Sequence, residues 1–160
     1  MSLERILIIK QNQKSSMAAC KRELEYCTER YAVSIANNYE EGTRLFREIS
    51  SNESGHFNAV LIDTETVDTS VLELIASIQG SDYCFSMIVM TGTADDETRK
   101  ALSSAATECV IKTGKYIKFL WHVVKSSLER NNRRPSKLLY KARILKVFTF
   151  NPRKRPNTGY

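Results

Sequence analysis

The sequence predicts an α/β protein: a doubly wound, five-stranded parallel sheet in the order 2-1-3-4-5, with helices on both faces. Two observations carry that expectation. Short, continuous aliphatic runs alternate with segments whose apolar residues recur every three and four positions, the pattern of strands buried on both faces joined by crossover helices. Five such pairs fit within 160 residues, and right-handed crossovers over that length leave few arrangements open.

The first strand is Ile6-Leu7-Ile8-Ile9, aliphatic at every position. Ser15 to Arg30 reads as a helix with Met17, Cys20, Leu24 and Cys27 on its inner face. Tyr31 to Ala36 is a weaker second strand, and Tyr39 to Ser51 a helix capped by Asn38, with Leu45, Phe46 and Ile49 turned inward. The third strand, Phe57 to Ile62, ends at Asp63 and opens into the polar loop Asp63-Thr64-Glu65-Thr66. Val71 to Ile78 is a helix with Leu72, Leu74, Ile75 and Ile78 apolar, stopped by Gly80. Met87 to Met90 is the fourth strand and closes at Thr91-Gly92. Asp95 to Ala106 is a helix opened by acids, as the helix dipole favours. Cys109 to Ile111 is a short fifth strand ending at Lys112, and Tyr116 to Arg130 an amphipathic helix lined by Ile117, Leu120, Trp121, Val124 and Leu128. This alternation is flavodoxin-like, and in such folds function collects at the carboxyl ends of the strands.

Charge divides the chain. Residues 1–130 carry 15 Lys+Arg against 18 Asp+Glu, whereas residues 131–160 carry 9 Lys+Arg and no acid. The folded body is expected over residues 4–130, with 131–160 as a basic tail or linker that opens on NNRRPSK. Ser136 to Phe148 permits a short basic helix. The tail could bind an anionic partner, lead into a further domain, or dock through Leu138, Leu145 and Phe148. Absence of a helix-turn-helix pattern disfavours nucleic acid as a partner and confines it to the tail. No apolar run reaches the ~20 residues of a membrane span. The start, MSLERILIIK, lacks the cleavage pattern of a signal peptide. Cys20, Cys27, Cys84 and Cys109 have neither CxxC nor metal-ligand spacing, so a reducing cytoplasm is the expected setting.

Reading off the strand ends gives Lys10-Gln11, Asp63, Thr91 and Lys112 in one crevice. An acid, a hydroxyl and an ammonium suit phosphoryl chemistry: a carboxylate can become an aspartyl phosphate, and the other two can bind its oxygens. The stretches AVLIDTE around Asp63, MIVMTGTADDE around Thr91, ALSSAATECVIKTG around Lys112, and the strand RILII carry a resemblance. With separations of 28 residues from Asp63 to Thr91 and 21 from Thr91 to Lys112, the chain resembles the receiver domain of two-component response regulators over residues 4–130. The resemblance implies a signalling phosphoprotein of a phosphorelay rather than an enzyme. It implies Asp63 as phosphoacceptor, Thr91 as switch hydroxyl, and Lys112 paired with Asp63 or the phosphoryl group. It also implies a sensor histidine kinase or another signalling protein as partner, and is compatible with a homodimer.

The departures are specific. Where the family has two acids that help hold Mg²⁺, this chain has Lys10 and Gln11. The Met-Pro after the phosphoacceptor is absent from TETVDTS, and Cys109 stands where an aromatic switch residue is usual. Asp63 with a backbone carbonyl at Glu65 is a poor cage for an ion that wants octahedral oxygen. A unit charge ~4 Å away costs another unit charge ~4 kcal/mol at an effective dielectric of ~20, and a divalent ion about twice that. Mg²⁺ is therefore expected to bind weakly or not at all. Lys10 either pairs with Asp63 where the metal would sit or points to solvent. The alternatives are a phosphorylation-independent interaction module and a regulator whose basic tail binds nucleic acid. A flavodoxin-like nucleotide-binding enzyme is disfavoured, because KQNQKSS after the first strand contains no glycine.

Overall fold

The computed structural model describes residues 3–11, 17–27, 29–50, 56–80, 85–93, 95–105 and 107–132. The elements run β1 (Glu4–Lys10), α1 (Ala18–Cys27), β2 (Tyr31–Ala36), α2 (Tyr39–Ser50), β3 (Ala59–Thr64), α3 (Thr69–Gln79), β4 (Ser86–Thr91), α4 (Asp96–Ser104), β5 (Glu108–Ile111) and α5 (Tyr116–Asn132). The sheet order is β2-β1-β3-β4-β5 and every pairing is parallel. This is the flavodoxin-like arrangement that the aliphatic runs predict.

Strand alternation sends successive side chains to opposite faces. Leu7, Ile9, Val60, Ile62 and Val89 meet Phe46, Leu74, Ile75 and Leu102 from α2, α3 and α4. Ile6, Ile8, Leu61, Ile88 and Met90 meet Cys20, Leu24, Leu120 and Val124 from α1 and α5. Burying each large aliphatic contributes ~1.5–3 kcal/mol, so the central strands anchor both layers. Gly42 lets α2 lie directly on β1: a Cβ there would sit 2.7 Å from three carbons of Ile9.

The helix starts follow their caps. Asn38 Oδ1 accepts from the Glu41 N–H at 2.8 Å, and Asp95 Oδ1 from the Thr98 N–H at 2.8 Å. Asp68 does the same for Val71 at 3.1 Å, which is why α3 begins two residues before the expected Val71.

Some expectations need correction. Asp63 lies inside β3, one residue short of its end, because the pairing with β4 continues to Thr64. Cys27 is exposed, since the buried stripe of α1 consists of Cys20 and Leu24 and ends one turn earlier. Leu72 is 38% exposed, because the buried face of α3 is set by Val71, Leu74, Ile75 and Ile78. His56, just before β3, is half-buried. Residues 133–160, with the expected basic helix, lie outside the described residues, as do Ser15, Ser51, Cys84 and Ala106. Among the described residues no helix is long and apolar enough to cross a membrane.

Candidate functional site

The carboxyl edge of the sheet holds an ionic cluster centred on Asp63. The aliphatic run Ala59 to Ile62 drives β3 between β1 and β4, so its last residues emerge flanked on both sides. In the register of β1 and β3, Lys10 stands opposite Asp63. Parallel partners share a face, so both side chains belong to the layer of α1 and α5. Both are buried: Asp63 is 2% exposed and Lys10 7%. Lys10 is thus packed within the protein rather than extended from it.

Lys112 approaches from the other side. Its backbone N–H donates to the Thr91 carbonyl at 2.8 Å, which extends the β4–β5 register and fixes where the side chain begins. The Lys112 ammonium donates to Asp63 Oδ1 at 2.8 Å and to Glu65 Oε1 at 2.8 Å. The turn into α5 is made by Gly114, whose φ of 52° is a conformation that glycine adopts without strain. Burial pushes the Lys112 pKa down, but the hydrogen bonds and charges of Asp63 and Glu65 outweigh it, and the net direction is up. The ammonium is thus firmly charged. Beside it, the Tyr116 hydroxyl lies 3.9 Å from Cys20 Sγ. Burial first, and then the neighbouring Cys20, Asp63 and Glu65, raise the Tyr116 phenol pKa. Burial likewise raises Cys20, which leaves an unreactive thiol.

Thr91 is fully buried at the end of β4, paired in register with Thr64 rather than with Asp63. Its hydroxyl contacts the Glu65 carbonyl at 3.0 Å and the Thr93 carbonyl at 2.9 Å. The Gly92 N–H donates to the same Glu65 carbonyl at 3.0 Å. The Glu65 N–H in turn donates to Gln11 Oε1 at 3.2 Å. Gly92 is needed for this closeness: a Cβ would meet Glu65 Oε2 at 2.6 Å and its carbonyl oxygen at 3.1 Å.

Lys10, Asp63 and Lys112 therefore sit together, and Gln11 and Thr91 reach the cluster through Glu65. From sequence alone Glu65 has only a backbone role. Its carboxylate on Lys112 was missed, and the signal for it was an acid two positions after Asp63 in the same loop. Among the described residues no group of three or more His, Cys, Asp and Glu gathers as a metal site.

No protein-family model matches the sequence. No curated protein matches it either. Solved structures do. The chain is similar to a CheY-like response regulator receiver domain protein from Methanospirillum hungatei, with 25% identity, a TM-score of 0.65, and coverage of 82% of this chain and 98% of that one. It is similar to a response regulator from Thermotoga maritima, with 18% identity, a TM-score of 0.63, and coverage of 79% and 98%. It is also similar to an orphan response regulator of H. pylori, with 15% identity, a TM-score of 0.63, and coverage of 78% and 96%. By structural similarity the chain has the fold of a response regulator receiver domain.

Proposed function

We propose that this chain is a signalling receiver module of a phosphorelay in which Asp63 holds the phosphoacceptor position and Mg²⁺-dependent phosphorylation is weak or absent. The observation that supports it is Asp63 buried between two lysines, Lys10 in register on β1 and Lys112 at 2.8 Å. A receiver of this kind takes its phosphoryl group from a histidine kinase or a related donor protein. An Asp63 oxygen attacks phosphorus, and the bond from phosphorus to the donor nitrogen breaks with its electron pair. Lys112 is placed to offset charge on the phosphoryl oxygens.

The donor set does not suit Mg²⁺. Opposite Asp63 in the register of β1 and β3, where an oxygen ligand is needed, stands a buried lysine, Lys10. The Gln11 amide oxygen already accepts from the Glu65 N–H, and the Glu65 carbonyl already accepts from Thr91 and Gly92. A hard octahedral cation requires several free oxygens. Phosphoryl transfer to a carboxylate depends on positioning and charge neutralisation, so loss of the metal slows it steeply.

The test is the mass increase on incubation with acetyl phosphate, with Asp63→Asn as the control. The unmodified protein should label slowly or not at all in millimolar Mg²⁺. The Lys10→Asp/Gln11→Asp variant should bind Mg²⁺ more tightly and label at Asp63. Rapid Mg²⁺-dependent labelling of the unmodified protein would refute the weak-metal reading. Absence of label from both forms would favour a phosphorylation-independent interaction module, with Asp63 kept for its lysines.

A further inference from the structure

The opposite, amino edge of the sheet carries a second polar feature that the phosphorelay reading does not use. A cavity of about 240 Å³ opens between the starts of β4 and β5 and the ends of α4 and α5, lined in part by Ser86, Thr107, Glu108, Ser127, Arg130 and Asn131. At ~30 Å³ per water that is room for about eight waters, or for a small organic cation. Three of its hydroxyl side chains are more than nine-tenths buried: Ser86 is 6% exposed, Thr107 7% and Ser127 6%.

The lining is rich in acceptors. The Ser86 hydroxyl spends its proton on the Ser127 carbonyl at 3.1 Å, and the Thr107 hydroxyl on the Ala105 carbonyl at 3.2 Å. Both oxygens keep lone pairs for a donor. Asn131 Oδ1 is buried in the same lining with no hydrogen-bond partner among the described residues. A buried acceptor left unmade is unfavourable, so it marks a place that a donor should fill. Ser103 closes α4, so one helix C-terminal end reaches this wall, beside Ser127, Arg130 and Asn131 of α5. That end carries partial negative charge and favours a cation. The rim already holds one: Arg130 donates from its guanidinium to the Glu108 carboxylate. That pair is solvated, with side chains 53% and 37% exposed, so an arriving cation can share Glu108 at little cost.

We propose that this cavity is a binding site for a guanidinium or alkylammonium group, contacted by Asn131 Oδ1, the Ser86 and Thr107 hydroxyl oxygens and Glu108. Such a group can come from a small free molecule or from this chain's own basic tail. The tail carries Arg133 and Arg134 immediately after α5. The site lies at the far edge from Asp63 and does not depend on the phosphorelay reading.

The experiment titrates the full chain, and the full chain with Arg133→Gln/Arg134→Gln, with methylguanidinium. The readout is the NMR signal of the Asn131 side-chain amide, with urea as the neutral isostere. A saturable shift in the unmodified chain identifies a site open to a free ligand. A shift only in the Arg133→Gln/Arg134→Gln form identifies the tail as the resident occupant. Either result supports the site if urea binds at least tenfold more weakly. Glu108→Gln should weaken methylguanidinium at least threefold. Thr107→Val, with a circular dichroism spectrum like that of the parent, should also weaken it. No saturable shift in either form, equal binding of urea, or unchanged affinity in both variants would overturn the proposal.

Discussion

At the scale of single residues, the cluster is governed by where the charges sit rather than by how many there are. Asp63 is 2% exposed and has the Lys112 ammonium at 2.8 Å, whereas the Glu65 carboxylate on the same ammonium is 77% exposed. The first contact is shielded from water and the second is screened by it. Lys112→Met should therefore cost about 1–3 kcal/mol in urea unfolding at pH 7, the cost of a buried group stripped of its partner. Glu65→Gln should cost less than about 1 kcal/mol. Adding Asp63→Asn to Lys112→Met should recover part of the loss, because a neutral amide has less need of a cation. Equal midpoints for Lys112→Met and the parent would show that the pair contributes nothing. Thr91 shows the limit of reading residues from sequence. A threonine at a strand end announces a hydroxyl in the crevice. Only the register, which pairs Thr91 with Thr64, reveals that it is turned to the Glu65 and Thr93 carbonyls.

At the scale of elements, what the sequence revealed and what it hid divide along range. The strands were legible because Ile6 to Ile9, Ala59 to Ile62 and Met87 to Met90 are apolar at every position, which only a two-sided burial rewards. Helix starts were legible where a cap stood alone, as Asn38 does, and were misplaced where Asp68 preceded polar residues. The Glu65 hub was illegible because its contacts join residues 11, 65, 91 and 112, and no local pattern encodes that meeting. Gly42 gives an element-scale test. Alanine in an exposed helix gains about 1 kcal/mol over glycine. Here the new Cβ would fall 2.7 Å from Ile9, which is 0% exposed and has no room to yield. Overpacking costs about 1–3 kcal/mol, so Gly42→Ala should be net destabilising, by up to about 2 kcal/mol in thermal or urea unfolding. A stabilised Gly42→Ala protein would mean that α2 stands further off β1 than described.

At the scale of the whole molecule, pH should bound stability on two sides. His56 is half-buried, and burial followed by the charge of Arg5 lowers its pKa below the usual 6.5. The unfolded chain takes up that proton first, so stability should fall as pH drops through 6.5. Lys112 has its pKa raised above 10.5, so its contribution is present below that value and lost as pH rises through the folded pKa. Thermal midpoints should thus be highest between these limits, and His56→Gln should flatten the decline between pH 7 and 5.5. A parent protein whose midpoint holds level down to pH 5.5 would contradict the assignment to His56.

The strand order has a consequence in time as well as in space. β1 is synthesised before every other strand, yet it lies between β2 and β3. Its second partner is complete only when Thr64 has been added, 54 residues after Lys10. At ~5–20 residues per second, the Ile6 to Ile9 run waits roughly 3–11 s on the ribosome with at least one backbone edge unpaired. During that interval β1, α1 and β2 present an aliphatic edge of the kind that templates association with other chains. The burial that later makes β1 the centre of the domain makes it, at birth, the segment most in need of a chaperone.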